Sequence, residues 1–230
     1  MRNKQSGFTL VEIAIVLVII GLLLGGVLKG QELINSAKVK NFATDFRNIP
    51  LYIYGYQDKF RALPGDDPAV ATHVTGATLA TTPAGLQGNG VINGNWNSTT
   101  VTDETYLFWQ HVRLAGLAAG PTTVTDPTYI PRNAEGGKIG IESGVTNYIG
   151  AIVGPPAIQG LNGTYVVCSD AILGKFAKQL DITLDDGNTQ TGSVRVVNGL
   201  TSATPHVRGA GALATTAVLD DQSYTVCMGM

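Results

Sequence analysis

Apolar residues run from Phe8 to Leu28 with one carboxylate among them, Glu12, and the next charge is Lys29. At about 1.5 Å of rise per residue, a helix over 8–28 covers the roughly 30 Å of a bilayer's hydrocarbon, so this stretch is predicted to be a transmembrane helix. Beyond Leu28 the pattern changes without stopping. Val39, Phe42, Phe46, Ile49, Ile53, Tyr56 and Phe60 recur at alternating spacings of three and four, which is the stripe of a helix packed along one face. Lys40, Asp45, Arg47, Gln57 and Asp58 fall on the other side. Pro50 lies inside the stripe, removes one backbone hydrogen bond and is expected to bend the helix. One long helix over 8–62 is therefore predicted, apolar all round in its first half and amphipathic in its second. Unbroken to residue 60, it would measure roughly 80 Å.

The periodicity then breaks. Leu63-Pro64-Gly65-Asp66-Asp67-Pro68 is turn chemistry, and 63–102, rich in Thr, Gly, Asn and Ala, reads as a long surface loop with few apolar anchors. Residues 103–119 read as a second helix capped by Thr102 or Asp103 and ended by Gly120-Pro121, with Leu107, His111, Leu114 and Ala118 on one face. Short strand-like runs follow at 138–142, 147–153, 164–168, 192–197 and 223–228, with a short helix at 169–180 and a turn at Asp185-Asp186-Gly187-Asn188 between two strands. Helix segregated from strands in this order predicts an α+β fold, an antiparallel β-sheet laid against the second half of the long N-terminal helix. The domain parse is 1–7, a basic leader; 8–62, the helix; and 63–230, a globular domain.

A carboxylate in hydrocarbon costs roughly 2.5–3.5 kcal/mol, so Glu12 needs a role. It stands five residues after Gly7, which closes the basic segment Met1-Arg2-Asn3-Lys4-Gln5-Ser6 and opens Gly7-Phe8-Thr9-Leu10-Val11-Glu12. An ordinary secretory signal would carry a small-residue cleavage site after a shorter apolar core; Gly21, Gly25 and Gly26 imitate one, but no Ala-x-Ala pattern follows. A plain anchor leaves Glu12 unexplained. The segment resembles the N-terminus of the type IV prepilins and pseudopilins. The resemblance covers the N-terminal segment alone. It implies a pilin-like fold, cleavage by a membrane prepilin peptidase between Gly7 and Phe8, and methylation of the new amine on Phe8. It further implies assembly into a filament through Thr9, Leu10 and Glu12, whose carboxylate a neighbour's amine neutralises.

Composition refines this. Only 14% of residues are charged and the formal charge is −2, which the loss of Arg2 and Lys4 with the leader takes to −4. No basic stripe is present, so no nucleic acid is expected as a partner. The chain's two cysteines, Cys168 and Cys227, end the apolar runs Thr164-Tyr165-Val166-Val167-Cys168 and Tyr224-Thr225-Val226-Cys227. In an exported domain such a pair is expected to form a disulfide. The lysines flanking the apolar run do not set its orientation; the cysteines, and the resemblance, put the C-terminal part outside the cytoplasm. The expected location is a bacterial inner membrane, single-pass with a periplasmic domain, and then a periplasmic or cell-surface filament.

Candidate chemistry is sparse. Asp66 with Asp67, and Asp185 with Asp186 and Asn188, could take calcium, but the ion wants six to eight oxygens, neither cluster supplies enough alone, and the turn reading is preferred. No other cofactor is expected. His73, His111 and His206 stand in unrelated contexts, His111 on a packed helix face, and no zinc spacing, phosphate loop or nucleophile elbow occurs. No catalytic residue is assigned, and an enzyme is not expected. The functional expectation is a structural subunit, minor or major, of a type IV pilus-like filament, associating with copies of itself or with other pilins. The alternatives are a pseudopilin of a type II secretion system and a membrane-anchored binding or adhesion module.

Overall fold

In a computed structural model, residues 10–144, 161, 163–199 and 211–230 are described. The N-terminal helix α1 spans Leu10–Phe60. Two compact units divide the chain, Met1–Lys38 and Val39–Met230.

In the first unit the helical residues 10–29 are all exposed. Among the described residues α1 is the one helix long and apolar enough to cross a membrane. The ion pair of Lys29 Nζ with Glu32, at 2.7 Å, is open to solvent and adds little stability.

In the second unit α1 lays its stripe on the core. Val39, Phe42, Phe46, Ile49, Ile53 and Tyr56 are buried, Ala43 with them, and Phe60 is half-buried. Lys40, Arg47 and Asp58 remain exposed, and the helix runs through Pro50. Helix α2 is a single turn, Val70–His73, and α3 spans Glu104–Leu114. Strands β1 (Ile139–Ser143) and β2 (Tyr165–Leu173) precede α4 (Gly174–Leu184), followed by β3 (Val194–Asn198) and β4 (Ser223–Gly229). These strands form one antiparallel sheet in the order β1-β2-β4-β3. The expected α+β, pilin-like arrangement is thus present: a long helix against a four-stranded antiparallel sheet.

The sheet is buried on both faces, and its pleat divides two cores. Tyr165 and Val167 on β2, with Ile139, Ile141, Val194, Val196 and Val226, pack with Phe42, Phe46 and Ile49 of α1 and with Phe176 and Leu180 of α4. Val166 and Cys168, the alternate residues of β2, pack with Cys227, Val197, Leu161 and Trp96 on the other side. Period-two alternation puts neighbouring residues on opposite faces, so the unbroken apolar run 165–168 serves both cores.

Several boundaries differ from the sequence reading. Helix α3 stops at Leu114, five residues early. Gly116, at φ +79°, supplies the left-handed turn, and the Leu117 and Gly116 amides bond back to the Val112 and Arg113 carbonyls. Asp103 occupies the cap position, but its side chain makes no capping bond there and accepts from the Ser98 hydroxyl instead. The helix read at 169–180 begins at Gly174. Ser169, Ile172 and Leu173 pair with β4 across a bulge whose Ala171 has φ +56°. The acidic turn 185–188 therefore joins α4 to β3 rather than two strands. The strand read at 147–153 lies outside the described residues.

The stretch 63–102 is not a decorating loop. It has little regular structure, yet Leu63, Val70, Val74, Ala80, Ile92 and Trp96 are buried. Trp96 covers the outer face of the sheet, where a Cβ on Gly140 would stand 1.8 Å from the Trp96 carbonyl. Its backbone N–H donates to the buried Glu142 carboxylate at 2.9 Å. Widely spaced anchors leave no period to read, which is why the segment looks like surface.

Candidate functional site

Gly7, Phe8 and Thr9 lie outside the described residues. Leu10 and Glu12 sit in the first turn of α1. Around Glu12, Leu10 is 91% exposed, and Val11, Ile13, Ile15, Val16 and Leu17 are exposed as well. Apolar surface this continuous belongs in lipid or against a partner.

The acidic pairs have separate environments. Asp66 is buried beneath the 88–90 turn. Its Oδ1 accepts the Gly88 and Asn89 amides and its Oδ2 the Gly90 amide at 2.7 Å. Burial raises its pKa and these donors pull it back. Asp67 is fully buried. Its Oδ2 lies 2.8 Å from the donating Tyr56 hydroxyl and 2.7 Å from His73 Nδ1, and its Oδ1 accepts the Ala69 amide. Together the two acids pin 66–90 to the end of α1. Burial, then the bond to Asp67, raises the Tyr56 phenol.

Asp185 and Asp186 shape the loop after α4. Asp185 Oδ2 accepts the Ser193 and Val194 amides. Asp186 accepts the Asn188 amide and the Thr191 hydroxyl, and Asn188 Oδ1 accepts the Gln190 amide. The sequence reading missed Asp181, one turn upstream on α4, whose carboxylate oxygen lies within 4.8 Å of those of Asp185 and Asp186.

His111 is a core residue, as its helix face implied. The Gly65 amide donates to Nδ1 at 2.9 Å, so the proton sits on Nε2 and is given to the Thr78 carbonyl at 2.8 Å. Burial lowers its pKa and keeps it neutral. Phe108 and Trp109 are buried beside it on α3. His206 lies outside the described residues. A second acid absent from the sequence reading is Glu104, wholly buried in the first turn of α3. Its Oε2 accepts the Asn93 amide and Nδ2 at 2.7 and 3.0 Å, while among the described residues no hydrogen-bond partner reaches its Oε1. Asp103-Glu104 before an apolar face reads as helix-start chemistry, and nothing in that pattern announces burial.

Cys168 and Cys227 face each other on β2 and β4 and form a disulfide, with Cα atoms 4.1 Å apart.

Residues 2–28 match the family described as the prokaryotic N-terminal methylation motif, which is the type IV prepilin signature. No curated protein and no solved structure shows a match to the chain. The motif supports a protein of the type IV pilin or pseudopilin type, suggests a structural role, and implies processing by a peptidase and assembly with other pilin subunits. It and the apolar helix are consistent with membrane anchoring.

Proposed function

We propose that this chain is a subunit of a type IV pilus-like filament. It is cut between Gly7 and Phe8, methylated on the Phe8 amine, and drawn from the inner membrane into the filament by its apolar helix. The observation that carries the reading is Glu12, the one charged residue between Leu10 and Lys29, set in the first turn of an exposed apolar helix beneath the methylation motif. The new amine lies one helical turn from Glu12 if the helix runs to residue 8. In a filament the amine of one subunit neutralises the carboxylate of the next. A charge away from water is tolerated when paired and costly when alone, so the pair sets docking register as well as affinity. The Cys168–Cys227 disulfide supports delivery of the globular unit to an oxidising compartment. The large irregular portion of that unit favours a minor pilin.

Mass spectrometry of sheared filaments is expected to find N-methylated Phe8 at the N-terminus. An intact Met1, or a cut near residue 25, would reject the reading. Glu12→Val should leave cleavage intact and lower incorporation at least about tenfold, because breaking a buried ion pair costs about 3–5 kcal/mol. Unchanged incorporation removes Glu12 from the role.

A further inference from the structure

A groove of about 620 Å³ lies at the C-terminal end of α1, between that end, the 63–90 segment and Tyr165 of β2. Its size is that of a small-molecule site. Most of its polar lining is already engaged. Asp66, beneath the surface, accepts the Gly88, Asn89 and Gly90 amides. Asp67 is held by the Tyr56 hydroxyl, His73 Nδ1 and the Ala69 amide. The His73 ring stacks on Phe60 with centroids 5.5 Å apart, and the Tyr165 phenol pairs with Gln57. Arg61 is the exception. It is exposed, it lines the groove, and among the described residues its guanidinium has no hydrogen-bond or ion-pair partner. Its backbone is also out of the ordinary. At φ +55° it occupies the left-handed position just past α1, its N–H closing on the Gln57 carbonyl. Glycine is the residue favoured there, because a side chain crowds its own backbone in that conformation. Strain kept at the edge of a groove points to a side chain retained for what it binds.

We propose that this groove binds an organic carboxylate of amino-acid to dipeptide size, its carboxylate held by Arg61 and its apolar body by Phe60, Leu63 and Pro68. The planar guanidinium gives a carboxylate two parallel N–H···O bonds. Arg61 is the one lysine or arginine lining the groove, and it stands in solvent, whereas Asp66 and Asp67 are buried, each with three donors on its oxygens. The accessible charge is therefore positive, and the donor left over is the guanidinium, so an acceptor-rich anion fits. The apolar residues beside it favour an anion with a hydrocarbon or aromatic body over a bare inorganic one. The site makes no use of Glu12 or of the methylation motif, so it stands or falls apart from filament assembly.

The test is calorimetric titration of the full chain, in non-ionic detergent micelles, with N-acetyl-phenylalanine, with its amide, and with inorganic phosphate. The acid is expected to bind with a Kd of about 1 mM or tighter, and the amide and phosphate at least about tenfold more weakly. Arg61→Gly relieves the backbone, so it should hold or raise Tm while weakening the acid at least about tenfold. A side chain that served only the fold would not give up binding with Tm intact. Arg61→Lys keeps the charge and loses the fork; it should weaken the acid several-fold, and it decides the matter if the glycine variant does not fold. No saturable binding of the acid, or unchanged affinity in either variant, would overturn the site. Equal binding of the amide would overturn the assignment to an anion, and equal binding of phosphate the assignment to an organic carboxylate.

Discussion

Replacing both cysteines by alanine is expected to lower unfolding free energy by about 4 kcal/mol, as a chain-entropy estimate gives for a loop of this size. The bond joins residues 59 apart in sequence, and its first effect is on the unfolded chain, which it forbids from opening that loop. A second effect is local. Cys168 and Cys227 lie wholly buried among Val166, Val197, Trp96 and Leu161, and alanine leaves a gap where two sulfur atoms packed. This second core is small, so the gap removes a large share of the apolar packing beside Trp96. Denaturant unfolding of the oxidised full chain and of Cys168→Ala/Cys227→Ala in the same detergent measures the difference. Adding reductant to the parent should move it most of the way to the variant. A difference below about 1 kcal/mol would mean that the unfolded chain is already restricted there.

How much of this was readable beforehand follows from the range of the interactions. The stripe Val39–Phe42–Phe46–Ile49–Ile53–Tyr56 is a local pattern, and each of its positions is buried. The strand runs ending at Cys168 and Cys227 were apolar and β-branched, and both became central strands. The errors sit where a distant partner decides. Ile172, Phe176 and Leu180 are spaced as a helix face, but Ile172 pairs with Tyr224 and extends β2 instead. The anchors of 63–102 are separated by polar residues because each meets a different surface. Trp96 meets the sheet, while Val70 and Val74 meet Tyr56 of α1. At the N-terminus the situation reverses: the methylation motif over residues 2–28 is legible in the sequence ahead of any tertiary contact. Buried acids are the opposite extreme. Asp181 and Glu104 look like ordinary helix-end carboxylates until the fold closes over them.

Glu104 carries the second large expected effect, a loss of stability as pH rises. Burial raises its pKa to about 8; the two Asn93 donors oppose this, and the nearby charges of Asp66 and Asp103 add to it. Its place at the N-terminus of α3 favours the anion, but by about 0.3–1 kcal/mol at an ordinary site, which is less than the cost of burying a charge with one oxygen unpaired. The neutral acid therefore prevails at neutral pH. Because the folded pKa lies above the unfolded value, the unfolded chain releases its proton first. The contribution is complete below about pH 4.5 and is lost as pH rises through 8, at a slope approaching 1.4 kcal/mol per unit and a total of about 5 kcal/mol. Other groups titrate in the same range. Asp45 and Asp181, each raised to about 6, lose stability with rising pH as Glu104 does. His111, lowered by burial, works in reverse: its contribution is complete above about 6.5 and is lost as pH falls. The difference between the parent and Glu104→Gln isolates the acid, because glutamine keeps the acceptor for Asn93 and cannot ionise. The two should have similar stability at pH 5, and the glutamine variant should be the more stable by about 2 kcal/mol or more at pH 8. Denaturation midpoints of the full chain between those limits measure it, and parallel curves would show that Glu104 ionises in place without cost.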